Sequence, residues 1–110
     1  MDRLFIYGTL GPGRPNEHVM QRIGGQWVAG TTRGRLLEAG WGAAMGYPGM
    51  VPDAQGELIS GHVFESDNLQ HHWQELDEFE GPEYQRVLVT VTQQDGSQVD
   101  AYIYALRDHD

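Results

Sequence analysis

One helical segment that ends in a carboxylate restricts the fold of this chain more than any other feature. Four residues of the segment 69–80 fall at the spacing i, i+4, i+7 and i+11 and so share one helical face: Leu69, Trp73, Leu76 and Glu80. Three of these side chains are large and apolar, so this face is expected to pack on a core. Gly81-Pro82 follows, and because a proline disfavours helix at the residue before it, the helix is predicted to end there.

Glu80 is thereby predicted to be a carboxylate on the core-facing side of a helix C-terminus. Removal from water disfavours its charged form, and the negative end of the helix dipole acts in the same direction. The pKa of Glu80 is expected to rise toward neutrality, where a general base works best. Glu78 projects to the opposite face. The pattern alone is also compatible with a solvated acidic helix end, because acids crowd residues 75–83 and charge runs are usually on the surface.

A glycine-rich turn follows the first apolar run of the chain. Leu4 to Tyr7 reads as a short buried strand, and Gly8-Thr9-Leu10-Gly11-Pro12-Gly13 comes directly after it. Consecutive backbone N–H groups in such a turn can bind a carboxylate or phosphate. No Lys-Ser or Lys-Thr follows, and the order G-x-x-G-x-G differs from the dinucleotide-binding pattern. By itself the segment is more typical of an ordinary tight turn than of a binding site.

The remaining pattern predicts short strands and few helices. We expect a helix over 17–23 with Asn16 as N-cap, an irregular loop over 39–56, and a helix from about Asp67, capped there with Gln70 at N3, to residue 79 or 80. Asp95-Gly96 predicts a two-residue hairpin turn. The expected strands are Trp27–Ala29, Arg33–Glu38, Leu58–Glu65, 87–91 and 99–105. This order is typical of an α+β fold on a small, twisted sheet or barrel.

Composition excludes several classes of protein. With 110 residues, we expect a single domain over 1–110. The net charge is −9 and the only basic residues besides histidine are seven arginines, which argues against nucleic acid. Cysteine is absent, and no apolar run suggests a membrane span or a signal peptide, so a cytoplasmic protein is expected.

His71 and His72 diverge by about 100° on a helix, and with His18 and His62 they match no zinc pattern, so no metal site is predicted.

Taken together, the turn and the helix end resemble the γ-glutamylcyclotransferase-like family. Its hallmarks Y-G-[ST]-L and L-D-x-x-E-G stand here at 7–10 and 76–81. The resemblance covers nearly the whole chain, through Gly13-Arg14-Pro15-Asn16, Tyr47-Pro48-Gly49, Gly61–Phe64 and Tyr84-Gln85-Arg86. The amino-acid sequence of these motifs is most similar to that of the small branch that includes γ-glutamylamine cyclotransferases. That branch often has G-E-V-Y where this chain has Gly61-His62-Val63-Phe64, which leaves the identity of the substrate open.

The resemblance implies a mixed barrel with one or two flanking helices and a cavity between the turn and Glu80. It implies cyclisation of a small-molecule γ-glutamyl substrate to 5-oxoproline, with Glu80 as general acid and base and without cofactor, metal or covalent intermediate. The substrate-binding residues would be Tyr7, Gly8, Thr9, Leu10 and Tyr84. A monomer or weak homodimer is expected. The alternative is a non-catalytic carboxylate-binding protein on the same fold, because a fold by itself does not establish a reaction.

Overall fold

The computed structural model describes residues 2–8, 10–37 and 49–107, which form six strands and two α-helices. Neither helix in this part of the chain has the length and apolar character needed to cross a bilayer. The elements in chain order are β1 (Asp2–Ile6), α1 (Glu17–Ile23), β2 (Gln26–Leu37), β3 (Gly49–Pro52), β4 (Glu57–Ser66), a 3-10 turn (Leu69–His71), α2 (Trp73–Glu80), β5 (Tyr84–Gln93) and β6 (Gln98–Leu106).

The strands form a mixed sheet that closes on itself. Their order is β3-β2-β4-β1-β6-β5, and a further pairing joins β2 to β5, so that five strands make a ring while β3 extends β2. Strands β1 and β6 are parallel, and the other pairs are antiparallel. The predicted α+β fold with a small mixed barrel is confirmed.

Alternating side chains of β1 separate two apolar clusters. Phe5 points into the barrel, where it joins an inner core of Phe5, Met50, Ile59, Val63, Val91, Ala101 and Ile103. Leu4 and Ile6 point outward, toward the helices. There they belong to an outer core of Leu4, Ile6, Leu10, Val19, Met20, Ile23, Phe64, Leu69, Leu76, Tyr84, Tyr104 and Leu106. Both helices therefore pack on the outside of the barrel, at the ends of β1 and β6.

The helix predicted from Asp67 to Phe79 or Glu80 is interrupted. A 3-10 turn comes first, and α2 begins only at Trp73, after His72. Asn68, rather than Asp67, occupies the N-cap position of the 3-10 turn, and its side chain makes no capping bond there. Its side-chain amide instead donates to the C=O of Ile23 (2.8 Å), and its N–H donates to Ser66 Oγ (3.0 Å). These bonds tie the segment to the end of α1. The predicted buried face survives the interruption, since Leu69 and Leu76 are both 0% exposed.

Helix α1 has the bounds that the sequence predicted. The strands differ from the prediction in two places, around Gly30 and in the loop predicted over 39–56. Asn16 precedes α1 as predicted but makes no capping bond with its side chain. The two strands predicted over residues 27–38 are one strand, β2. Gly30 lies between the two predicted strands, at the point where β2 pairs with β5, and a Cβ there would lie 2.9 Å from Val91 Cγ1. The loop predicted over 39–56 contains β3 at its end, and residues 38–48 lie outside the described part of the chain.

The hairpin between β5 and β6 has a three-residue loop rather than the predicted two-residue turn. Gln93 N–H donates to Ser97 O (2.8 Å), and Gly96 N–H donates to Gln93 O (2.9 Å). Within this loop, Gly96 has a positive φ (89°) and Asp95 does not, whereas a two-residue type I′ turn would need a positive φ at both residues. The Asp95 carboxylate instead accepts the Ser97 N–H (2.9 Å), which stabilises the longer loop.

We expect Gly61→Ala to destabilise the barrel. A Cβ at Gly61 would lie 2.5 Å from the Ile6 carbonyl oxygen and 2.7 Å from Phe5 Cζ, so β1 would have to shift. Overpacking of this kind costs about 1–3 kcal/mol, measurable by urea unfolding. Ser60→Ala is the matched control because Ser60 is exposed on the same strand. Equal stability of the two variants would contradict this account of the inner core.

Candidate active site

Glu80 is the last residue of α2, as the sequence predicted. Gly81 ends the helix at a φ of 85°, and its N–H donates to the Asp77 carbonyl (3.0 Å). Burial of the Glu80 carboxyl raises its pKa from an ordinary value of 4.5 to about 7. The alternative of a solvated acidic helix end therefore fits Glu75 and Glu78, which are exposed, and does not fit Glu80.

The glycine-rich turn folds into consecutive hydrogen-bonded turns between β1 and α1. Gly11 N–H donates to Gly8 O (3.2 Å), and Arg14 N–H donates to Gly11 O (3.0 Å). Leu10 is buried in the outer core and holds the turn against the barrel. A Cβ placed on Gly8 would meet no described atom within 4 Å, so this glycine borders open space. Thr9, the third residue of the predicted binding turn Tyr7-Gly8-Thr9-Leu10, lies outside the described residues.

Tyr7 joins the turn to the rest of the site. Its O–H donates to the Tyr104 carbonyl (2.7 Å) and accepts the Met50 N–H (3.1 Å). Burial raises the pKa of the Tyr7 phenol above its usual range, and the charges of Tyr84 and Glu80 add to the increase. Because such interactions fall off with distance, Tyr84 and Glu80 each lie within electrostatic range of Tyr7. The structure thus brings together three of the residues predicted for the site.

Tyr84 is placed by the chain reversal that ends α2. Its N–H donates to the Gly81 carbonyl (3.3 Å), and its side chain is 8% exposed in the outer core. β5 begins at Tyr84, so the strand starts directly beside the helix end that carries Glu80.

Sequence reasoning missed a hydrogen-bond network around Asp77. Asp77 Oδ1 accepts the Tyr104 O–H (2.7 Å) and the Arg86 Nε–H (3.0 Å), while its Oδ2 accepts from Arg86 Nη2 (3.3 Å). The Arg86 guanidinium lies 4.4 Å from the centre of the Trp73 ring. Asp77 and Arg86 stand inside the two segments that carry the resemblance, at L-D-x-x-E-G and Y-Q-R. Their place in these two segments was the one feature of the sequence that could have marked them as residues of the site.

Tyr104 consequently contacts both halves of the site. Its phenol binds Asp77 on α2, one turn before Glu80, and its backbone carbonyl binds the Tyr7 phenol at the start of the turn. Burial, with further contributions from Asp77 and Glu80, raises the pKa of Tyr104 above its usual range, so the phenol remains a donor. Tyr104 lies in the strand predicted over residues 99–105, and nothing in that pattern predicted either of these hydrogen bonds.

Described residues line two cavities near these groups. The turn cavity, of about 450 Å³, lies between residues 6–14 and strands β2, β4 and β5, and Tyr7 lines it. The helix cavity, of about 800 Å³, lies between α2 and β5, and Tyr84 and Tyr104 line it. Glu80 lines neither, but its charge acts on Tyr7 and on Tyr104. The carboxyl is therefore within electrostatic reach of one wall of each cavity.

The four histidines in the described part of the chain have different surroundings. His72 Nδ1 bonds to Glu75 Oε2 (3.0 Å), and His62 makes an edge contact with Trp27, at 6.2 Å between ring centres. His18 and His71 are exposed. Within the described ranges, no three side chains of His, Asp or Glu form a group that could hold a metal ion.

Comparison with known proteins gives one family. The family model described as "Gamma-glutamyl cyclotransferase, AIG2-like" matches residues 4–110. A search of curated proteins finds no significant match.

Several solved structures are similar to this one. An AIG2-like protein from Mus musculus is 27% identical, with a TM-score of 0.73 over 100% of this chain and 80% of that one. YkqA from Bacillus subtilis is 30% identical, with a TM-score of 0.72 over 96% of this chain and 35% of YkqA, so this chain spans about a third of YkqA. A protein named gamma-glutamyl cyclotransferase is 16% identical, with a TM-score of 0.66 over 99% of this chain and 68% of its own, and shares the fold.

We expect Tyr104→Phe to loosen the helix end that carries Glu80. The variant keeps the carbonyl that binds Tyr7 and removes the O–H that binds Asp77, which should lower the free energy of unfolding by about 1.5–3 kcal/mol. Water would then reach the helix end, and the pKa of Glu80 should fall from about 7 toward 4.5, measured by ¹³C NMR of the carboxyl. Tyr102→Phe is the control, since Tyr102 lies on the same strand as Tyr104 and its ring packs on Trp73. An unchanged pKa in Tyr104→Phe would contradict this role.

The raised pKa of Glu80 also predicts a pH-dependent stability. Because the folded-state pKa (about 7) exceeds the ordinary value of 4.5, folding favours the protonated carboxyl. This contribution is complete below about pH 4.5 and is lost as the pH rises through about 7. Glu80→Gln should therefore gain stability relative to the wild type between about pH 4.5 and about pH 8 in urea unfolding. Glu78→Gln should show no such gain, and parallel profiles for wild type and Glu80→Gln would rule out a desolvated carboxyl.

Proposed function

The chain belongs to the gamma-glutamyl cyclotransferase, AIG2-like family, and we propose that it is an enzyme that cyclises a γ-glutamyl group to 5-oxoproline. An amine or amino acid is released. The observation that carries the proposal is the Glu80 carboxyl, whose pKa burial raises to about 7 and whose charge acts on Tyr7, the residue that precedes the glycine-rich turn. A carboxyl so tuned exchanges protons readily at neutral pH.

The chemistry follows from the shape of a γ-glutamyl group. Its α-amino nitrogen and γ-carbonyl carbon can close a five-membered ring when the chain is held curled. The nitrogen attacks this carbon, a new C–N bond forms, and the bond to the leaving nitrogen breaks. Holding the two ends together is worth about 7 kcal/mol or more of the barrier. The main task of the site is then to bind the substrate in its curled conformation.

Glu80 performs both proton transfers in this scheme. Its ionised form takes a proton from the attacking nitrogen, and its protonated form gives that proton to the leaving nitrogen. Each general acid or base step contributes about 10²–10⁴-fold. No net proton is gained or lost by the enzyme, so a single carboxyl is sufficient for a full cycle.

The turn and the tyrosines hold the substrate. The N–H groups of Gly8, Thr9 and Leu10 would bind the substrate α-carboxylate and polarise the γ-carbonyl oxygen, as backbone N–H groups do in other anion sites. The open space beside Gly8 supports this assignment. Tyr7 and Tyr84 would form the wall against which the glutamyl chain curls.

Turnover is tested by a screen for 5-oxoproline. Mass spectrometry should detect 5-oxoproline released from at least one member of a panel of γ-glutamyl amino acids, γ-glutamyl amines and glutathione. Glu80→Gln keeps the size of the side chain but cannot accept a proton, so we expect turnover to fall by about 10²-fold or more. Glu78→Gln, on the exposed face, should retain full activity. Equal activity of wild type and Glu80→Gln would remove Glu80 from the mechanism.

The pH profile and ligand binding complete this test. Below about pH 7 the base is protonated, so kcat/KM should fall with a midpoint near the pKa of Glu80. Titration with 5-oxoproline should shift the backbone amides of Gly8 and Leu10 in wild type and in Glu80→Gln alike. Such binding without turnover of any compound would instead support the non-catalytic alternative.

A further inference from the structure

The turn between α2 and β5 directly follows Glu80, and its first residues have little packing of their own. We call residues 81–84 the helix-end turn; the Tyr84 N–H closes it by donating to the Gly81 carbonyl (3.3 Å). Gly81 has a φ of 85°, which glycine adopts without strain, and a Cβ placed there would meet no described atom within 4 Å. The next two residues are exposed. Hydrogen bonds are therefore the main contacts that can fix the path of the chain after Glu80.

Arg107 supplies two of these hydrogen bonds from the end of β6. Its backbone N–H donates to the Glu83 carbonyl (2.9 Å), which continues the β5–β6 ladder beyond the pair of Tyr84 with Leu106. Its side chain reaches the preceding residue of the turn, where Nε–H donates to the Pro82 carbonyl (2.8 Å). Both central carbonyls of the helix-end turn are thus bound by one residue.

Arg107 extends from a well-packed part of the barrel. Leu106, the residue before it, is 6% exposed and belongs to the outer core. Gly49 of β3 packs closely on Leu106, since a Cβ at Gly49 would lie 2.5 Å from Leu106 Cγ. The outer core therefore sets the position of the Arg107 backbone, and the two hydrogen bonds carry that position over to the helix-end turn.

The contact of Arg107 with the turn uses the Nε–H donor rather than the charge of the guanidinium. Arg107 makes no ion pair within the described ranges, whereas Arg86, which also borders the helix cavity, is paired with Asp77 (3.0 Å). The acceptor of the Arg107 side chain is a neutral backbone carbonyl. An uncharged side chain with an N–H at the same distance from the backbone should therefore replace Arg107.

We propose that Arg107 is a positioning residue of the proposed cyclisation, which holds the helix-end turn on the barrel and so fixes where the Glu80 carboxyl lies. This inference rests on the proposed function. In that scheme one carboxyl must reach the attacking nitrogen and then the leaving nitrogen, so its position has little tolerance. A displacement of about 1 Å can cost about 10²-fold in rate. In this role Arg107 does not contact the substrate and acts on Glu80 through the backbone of the turn.

Two substitutions at Arg107 separate the hydrogen bond from the charge. Arg107→Met keeps the length of the side chain to the ε position and removes both. Arg107→Gln removes the charge but keeps an N–H donor on Cδ, where arginine carries Nε. With a substrate found in the 5-oxoproline screen, Arg107→Met should lower kcat by about 10-fold and leave KM within about twofold, because the substrate-binding N–H groups belong to the glycine-rich turn. Arg107→Gln should retain most of the wild-type kcat.

Arg33→Met is the matched control. Arg33 is also exposed, and its Nη1 donates to the Gly56 carbonyl (3.0 Å) in a different turn, between β3 and β4. The substitution removes the same charge and the same kind of hydrogen bond, so kcat should not change. Because Arg107 is exposed as well, thermal unfolding should confirm that its variants are folded. A loss of kcat in Arg107→Gln as large as that in Arg107→Met would show that the charge is what matters and would overturn the positioning role.

Amide hydrogen exchange tests the hold on the turn without turnover. In Arg107→Met the Gly81 and Tyr84 amides should exchange about 10-fold faster than in wild type, because the turn opens locally. Arg107→Gln and Arg33→Met should exchange at the wild-type rate. Cyclisation with a kcat that Arg107→Met does not lower would overturn the inference and leave the proposed function intact.

The exchange rates also keep the two proposals apart if no γ-glutamyl compound is cyclised. The proposed function and the catalytic part of the inference then both fall. Faster exchange in Arg107→Met would still support the hold of Arg107 on the helix-end turn, and unchanged exchange would overturn that as well.

Discussion

Tyr104 makes the two hydrogen bonds on which the geometry of the candidate site depends. Its phenol reaches Asp77 on α2 and its carbonyl reaches the Tyr7 phenol, so one residue of β6 holds the helix that carries Glu80 and the turn that follows β1. These two elements are far apart in sequence and share no strand pairing. The parallel pairing of β1 with β6 brings them to the same end of the barrel, and Tyr104 joins them there.

The buried carboxyl of Glu80 is a local departure from what stability alone would favour. A carboxyl whose ionisation is made costly by burial destabilises the folded state at neutral pH relative to a neutral side chain. The surrounding contacts compensate in part: the Asp77–Arg86 ion pair, the packing of Arg86 on Trp73 and the fully buried Leu76 hold α2 in place. Strain of this kind is characteristic of sites where function requires a shifted pKa.

Local signals were readable from the sequence, and long-range ones were not. The end of α2 at Glu80 and the buried face of Leu76 follow from helix periodicity and from Gly81-Pro82, which act over a few residues. The continuity of β2 through Gly30 is supported by its pairing with β4 and with β5, about thirty and about sixty residues farther along the chain, and no local pattern reports it. The Asp77–Tyr104 bond was hidden for the same reason, since a carboxylate on an exposed helix face gives no sign of a partner on a distant strand.

The net charge of −9 and the proposed recognition of a carboxylate-bearing substrate can be reconciled in this fold. Backbone N–H groups can attract anions without adding formal charge, and no acid is among the described residues that line the turn cavity. Glu80 contributes to this balance as well. With a pKa raised to about 7, its protonated and its ionised form are both populated near neutral pH, and the protonated form does not repel an approaching carboxylate. The same two forms would supply the base and the acid of the proposed cyclisation, so burial of a single side chain would serve both substrate binding and proton transfer.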